Sequence, residues 1–162
     1  MEDKKIEEIH RPQTNQAPPP KGGGGGGKGI SVFAPATVAN VVCGFDVLGF
    51  AVNEPGDEVI MRLTGKPGIS ISKITGDNGR LPMDPAKNTV SVSVRHYLDG
   101  IGRSDIGLDI ELHKKMPIGS GLGSSSASTV AGLFAIKTLL GDESDPVKLL
   151  PSAMKGEEMA CG

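Results

Sequence analysis

The chain has no tryptophan, one tyrosine and four phenylalanines among its 162 residues. A core built from it must rest on Val, Ile, Leu, Ala and Met rather than on aromatic anchors. Cysteine is scarce as well: Cys43 and Cys161 are the only two, and their spacing fits neither a metal nor a redox pattern. Reduced thiols and a cytoplasmic setting are therefore expected. No basic surplus exists, with 17 Lys and Arg against 19 Asp and Glu and a net charge of −2, which argues against a nucleic-acid partner. No apolar run approaches the roughly 20 residues that a bilayer span needs, so no membrane partner is expected. The opening MEDKKIEEIH is charged and lacks the apolar centre of a secretory signal. The length suits one ordinary domain.

What is present divides at about residue 29. Pro18, Pro19 and Pro20 precede six glycines, Gly22 to Gly27. Polyproline stiffens a segment and oligoglycine loosens it, and neither brings apolar surface to offset ordering entropy. Residues 1–29 are expected to be a disordered tail. No strand precedes the glycine run and no helix follows it, which argues against a phosphate-binding role there. From Ile30 the pattern changes. ISVFAPAT suits a short strand entering a turn at Pro35, and the glycines of ANVVCGFDVLGFAVN argue against a regular helix before Phe45. EVIMRL and GISISKI read as strands, LPMDPAKN as a loop, and Asn88 as the cap of a helix TVSVSVRHYLDGIG. In that helix Val90, Val94, Tyr97, Leu98 and Ile101 fall on one side. GLDIELHKK alternates as a strand, with Lys114 and Lys115 expected at its solvated end. An apolar helix SASTVAGLFAIKTLL runs to Gly141, and Asp145 with Pro146 opens a last helix reaching about Cys161. Strands early and helices late make an α+β fold.

The chemistry concentrates in Pro117-Ile118-Gly119-Ser120-Gly121-Leu122-Gly123-Ser124-Ser125-Ser126, between a strand and a helix. Gly119, Gly121 and Gly123 can take positive φ and let backbone N–H groups approach an anion. The helix beginning near Ser124 aims its unsatisfied N–H groups and the positive end of its dipole at the same place. Ser124 and Ser125 add hydroxyls able to bond phosphate or ligate a hard cation. No Lys-Ser or Lys-Thr follows, so this is not a Walker A loop. Gly119, Gly121 and Gly123 give G-x-G-x-G, and no acidic residue about 20 positions on sits at the end of a second parallel strand, so this is not a dinucleotide fingerprint either.

PIGSGLGSSSAS resembles the second conserved motif of the GHMP kinases, P-x-x-x-G-L-G-S-S-A. The resemblance implies that the loop wraps the phosphates of ATP and that Ser125 or Ser124 helps to hold Mg²⁺. Residues 32–59, VFAPATVANVVCGFDVLGFAVNEPGDEV, are similar to the opening of the homoserine kinase branch. There A-P-A-[ST]-x-A-N leads into G-F-D-x-L-G and then P-G-D. Val41-Val42-Cys43 departs from the Leu-Gly-Pro found in many of those proteins, which changes the turn but keeps Asn40, Gly44, Phe45 and Asp46. DPAKN, residues 84–88, is similar to the segment whose asparagine, here Asn88, lies near adenine. Lys155-Gly156-Glu157-Glu158 is similar to a G-E segment whose glutamate, here Glu157, ligates Mg²⁺.

From the residues alone, Asn88 is equally an N-cap, Asp46 and Asn40 equally braces of their own turn, and Glu157 equally a solvated carboxylate. His10, His96 and His113 have no partner at catalytic spacing. The resemblance implies a ribosomal-S5-like N-terminal domain over residues 30–162, including a left-handed crossover. It also implies a ferredoxin-like C-terminal domain that this chain does not include. The H-x-D-N motif, substrate-binding arginines and a third glycine-rich motif are expected beyond residue 162. The implied activity is transfer of phosphate from ATP to L-homoserine, with Asn40 and Asp46 facing the amino acid and no residue assigned as general base. A homodimer, as in the family, stays open. This chain alone is expected to turn over weakly or not at all. Another small alcohol such as mevalonate, or nucleotide binding without turnover, remains an alternative.

Overall fold

The computed structural model describes residues 28–41 and 43–161. The expected tail therefore lies, but for its last two residues, outside the described part. Four strands form one sheet in the order β1-β2-β4-β3. They are β1 (Gly29–Val41), β2 (Gly44–Thr64), β3 (Gly68–Thr75) and β4 (Gly107–His113). β1 pairs with β2, and β2 with β4, antiparallel; β3 lies parallel to β4. A parallel neighbour needs a crossover, and α1 (Thr89–Gly100) lies within it. After β4 come α2 (Ser124–Leu140), a 3-10 turn (Pro146–Leu149) and α3 (Leu150–Cys161).

Alternation along the strands sends one set of side chains to the helices. Val32 stands opposite Val59, and Val59 opposite Leu112; Met61 stands opposite Ile110, and Ile110 opposite Ile71. All are buried, and they pack with Val90, Val94 and Leu98 of α1 and with Leu133 and Ile136 of α2. Each such side chain contributes about 1.5–3 kcal/mol on burial. The outer part of the β1–β2 hairpin contributes little of this, since Phe45, Val47, Leu48 and Phe50 are exposed.

Four elements differ from the sequence expectation. β2, expected over EVIMRL, already begins at Gly44 and runs to Thr64, because its first part pairs with the continued β1. β1 does not turn at Pro35: the pairing shifts register between Pro35 and Thr37, absorbing the missing N–H, and the strand continues to Val41. Ile101 is 45% exposed, because α1 ends at Gly100 and the cap residue leaves the helical stripe. The last helix opens as a 3-10 turn capped by Asp145, whose Oδ1 accepts from Val147 N at 2.9 Å, before α3 begins. Among the described residues, no helix is long and apolar enough to cross a membrane.

Candidate functional site

The loop of residues 117–123 leaves β4 and enters α2 with Gly119, Gly121 and Gly123 at φ 78°, 75° and 71°. Ser120 N donates to Pro117 O at 3.3 Å, and the first helical bond runs from Ala127 N to Gly123 O at 2.8 Å. Between them, the N–H groups of Gly121, Leu122, Gly123, Ser124, Ser125 and Ser126 have no acceptor among the described residues. Gly123 caps α2 without any side-chain hydrogen bond. Six open donors thus lie together in the loop and at the positive end of the α2 dipole, an arrangement that suits an anion. Thr37 N donates to Leu122 O at 3.0 Å and ties the loop to β1. Gly123 must be glycine here: a Cβ would lie 2.5 Å from Thr37 Oγ1, and its φ is left-handed.

Beneath the loop the structure corrects the expectation for Lys114. It is not a solvated strand end but a buried cation, while Lys115 is exposed and pairs with Glu58 at 3.2 Å. Lys114 Nζ donates to Asp57 Oδ2, to Ser124 O (2.8 Å) and to Ser128 Oγ (2.6 Å). Asp57, fully buried, also accepts from Ser124 Oγ (2.7 Å), Ser128 Oγ (3.0 Å), Lys115 N (2.9 Å) and Met116 N (3.2 Å). Burial alone would raise the Asp57 carboxyl. The hydrogen bonds from Lys114 and Ser124, and the charge of Lys114, outweigh it and hold the group below the usual carboxylate range. Asp57 and Lys114 are the residues that sequence reasoning missed. Two signals pointed to them: Asp57 ends the P-G-D segment, and Lys114 continues the inward phase of Leu108, Ile110 and Leu112.

The following serines divide by helical phase. Ser124 and Ser128 face Asp57; Ser125 and Thr129, one residue on, face Glu157. Glu157 Oε1 accepts from Ser125 Oγ (2.9 Å) and Thr129 Oγ1 (3.0 Å), and Oε2 accepts from Ser126 Oγ (3.3 Å). Glu157 is therefore not a solvated helix carboxylate. It is brought there by Gly156, where α3 crosses α1 so closely that a Cβ would lie 1.9 Å from Ser93 Oγ. Ser125 Oγ and Glu157 Oε1 lie 2.9 Å apart and bring a hydroxyl and a carboxylate together, oxygen donors of the kind a hard cation takes. The donor set fits a hard cation. Among the described residues no group of three or more His, Cys, Asp or Glu could hold a metal ion, so any ion here would draw on one carboxylate, a hydroxyl, ligand oxygens and water.

A cavity of ≈ 500 Å³ opens beside the loop. Its lining includes Leu81, Pro82, Asn88, Val90, Ile118 and Leu122, together with Lys114, Ser124, Ser125 and Ser128. Asn88 lines it while capping α1: Oδ1 accepts from Val90 N (3.1 Å) and Nδ2 donates to Pro82 O (3.1 Å). Asn40 lies exposed in the outer hairpin at φ 59°, three residues beyond the Thr37 contact with the loop. Asp46 lies in β2 of that hairpin, and its side chain is outside the described residues. His96 and His113 bond to Ser152 Oγ and Thr75 Oγ1 instead; His10 lies outside the described residues.

Residues 88–162 match the family described as "GHMP kinases N terminal domain". A homoserine kinase of Chloroherpeton thalassium is 48% identical over 145 residues, covering 83% of this chain and 45% of that protein. The crystal structure of homoserine kinase from Cytophaga hutchinsonii is 63% identical, with a TM-score of 0.79 over 83% of this chain and 42% of that one. The mevalonate kinase of Methanococcus jannaschii has a TM-score of 0.62 at 17% identity, over 84% of this chain and 48% of that one, which is a likeness of fold alone. The chain spans less than half the length of these relatives. A run of open amides, a carboxylate beside it and a sheet of this order accord with those matches: the chain carries the N-terminal domain of the GHMP kinases.

Proposed function

We propose that the protein transfers the γ-phosphoryl group of ATP to the side-chain hydroxyl of L-homoserine, giving O-phospho-L-homoserine for threonine synthesis in the cytoplasm. The observation that carries this is the run of open N–H groups from Gly121 to Ser126 at the start of α2. Homoserine is favoured over other alcohols by the A-P-A-T-V-A-N, G-F-D-V-L-G and P-G-D segments. The Chloroherpeton and Cytophaga relatives, both homoserine kinases, support the same choice.

Phosphoryl transfer needs positioning and charge neutralisation more than covalent chemistry. Residues 117–126 would bind the β- and γ-phosphates through backbone amides, and the cavity beside Asn88 would take the adenine. Ser125 and Glu157 would hold Mg²⁺, which when bound neutralises charge developing on the phosphates. Asn40 and Asp46 would face the amino acid, a carboxylate being the natural partner of its ammonium. The homoserine oxygen forms the new bond to phosphorus as the bond from the γ-phosphorus to the β–γ bridging oxygen breaks. ADP leaves, and the hydroxyl proton passes to a phosphate oxygen, so no side chain is assigned as base. Residues 30–162 act here as the nucleotide-binding domain.

Calorimetric titration of the chain with Mg-ATP is expected to show saturable binding. A coupled assay with L-homoserine, mevalonate and galactose, on a chain of the relatives' length, is expected to prefer homoserine. Absence of nucleotide binding, or preference for another alcohol, overturns the proposal.

A further inference from the structure

The Asp57–Lys114 pair has no part in the chemistry above, yet it is the most heavily hydrogen-bonded polar group under the loop. Asp57 Oδ1 takes the amides of Lys115 and Met116, just before Pro117. Asp57 Oδ2 takes the hydroxyls of Ser124 and Ser128, just after Gly123. Lys114 comes from the strand that leads into the loop and holds the carbonyl of Ser124 and the hydroxyl of Ser128 on its far side. Both feet of the loop are thus fastened to one buried carboxylate. Between the feet, fastening is sparse: Ser120 N to Pro117 O, and Leu122 O from Thr37 N. Three glycines in that interval bring backbone freedom that the clamp must offset.

We propose that Asp57 and Lys114 are positioning residues for nucleotide binding, clamping the two ends of the phosphate loop so that its open amides converge on one point. The inference rests on the kinase reading of the loop. Asp57 does not line the cavity, and Lys114, which does, gives its ammonium to Asp57, Ser124 and Ser128; each acts through Ser124, Ser128 and the amides before Pro117. A pair serving stability alone would be replaceable by neutral groups of similar size, since removing both charges together leaves no unpaired buried charge. A clamp would not be replaceable in that way, because a carboxamide cannot accept from Ser124, Ser128 and both amides at once.

The test is the full chain with Asp57→Asn and Lys114→Met combined, compared with wild type by thermal melting and by Mg-ATP titration. The expected result is a melting temperature close to wild type with affinity weaker by about tenfold or more, as misplaced binding groups lose affinity steeply. Recovery of both stability and affinity overturns the clamp. If the double variant does not fold, Ser128→Ala decides. It removes one hydroxyl shared by Asp57 and Lys114, and is expected to weaken Mg-ATP by about threefold or more with little change in melting, as loss of a charge-assisted bond would. Unchanged affinity in Ser128→Ala overturns the inference. Wild-type protein that fails to bind Mg-ATP overturns the kinase reading instead, which separates the two failures.

Discussion

The two ends of α2 are built from the same parts and finished differently. Each is flanked by a glycine in the left-handed region, Gly123 at φ 71° and Gly141 at φ 67°. At the C-terminal end Gly141 N donates to Thr138 O (3.1 Å) and Asp142 N to Lys137 O (3.0 Å), the paired bonds of a Schellman closure. Lys137 Nζ reaches the carbonyl of Asp142, and Tyr97 OH donates to Asp142 Oδ2 at 2.6 Å. At the N-terminal end the amides are left open, and the nearby side chains bond one another instead of capping them. A helix end that is closed by its own chain is structural. One left open above a fully satisfied polar base leaves its donors available to an anion.

The comparison breaks most readily at Gly123. Gly123→Val puts a branched side chain at left-handed φ and against Thr37, and is expected to lower Mg-ATP affinity by about 100-fold or more, measured by calorimetry. Next comes Glu157→Gln, which removes the one carboxylate beside Ser125. It is expected to lower Mg²⁺-dependent ATP affinity by about 10–100-fold while leaving the melting temperature nearly unchanged. Gly141→Ala sharpens the contrast from the closed end. Its Cβ meets nothing within 4 Å, so the cost is backbone strain of about 1–2 kcal/mol in denaturant unfolding, with Mg-ATP affinity unaltered.

The smallest expected effect is one of pH. Burial, then the hydrogen bond to Asp142 and its charge, push the Tyr97 phenol above its ordinary range. A raised folded value contributes stability that is fully present below the unfolded value of about 10 and is lost as pH rises beyond it. Asp57 has the opposite sign: its lowered folded value contributes stability present above about pH 4 and lost as pH falls further. Melting scans should therefore show an alkaline decline that Tyr97→Phe flattens and an acid decline that it makes shallower, since the Tyr97 hydroxyl is the main cause of the lowered Asp142 carboxyl, while the Asp57 share of the acid decline stays.

The outline of the fold was legible because its signals are local. The alternation of GLDIELH, the Asn88 cap, the apolar run of α2 and the Asp145-Pro146 start all fall where the sequence put them. The glycine loop was legible too, since three glycines and a helix start need no tertiary information to imply open amides. What escaped was long-range. The continuation of β1 past Pro35 depends on a bulge opposite β2, and no property of ISVFAPAT alone requires it. Lys114 looked solvated because lysine usually is, whereas its strand phase points inward and Asp57, 57 residues earlier, completes the pair. Glu157 could not be told from a surface carboxylate until the close crossing at Gly156 set it against Ser125 and Thr129.

The amide resonances of Gly121 to Ser126 test the central claim most directly, followed by NMR as Mg-ATP is added. Open donors closing on a polyphosphate predict large, saturable shifts and slowed hydrogen exchange in those six amides, with Gly141 and Asp142 unmoved. Nucleotide binding that leaves the six amides unshifted would contradict the account.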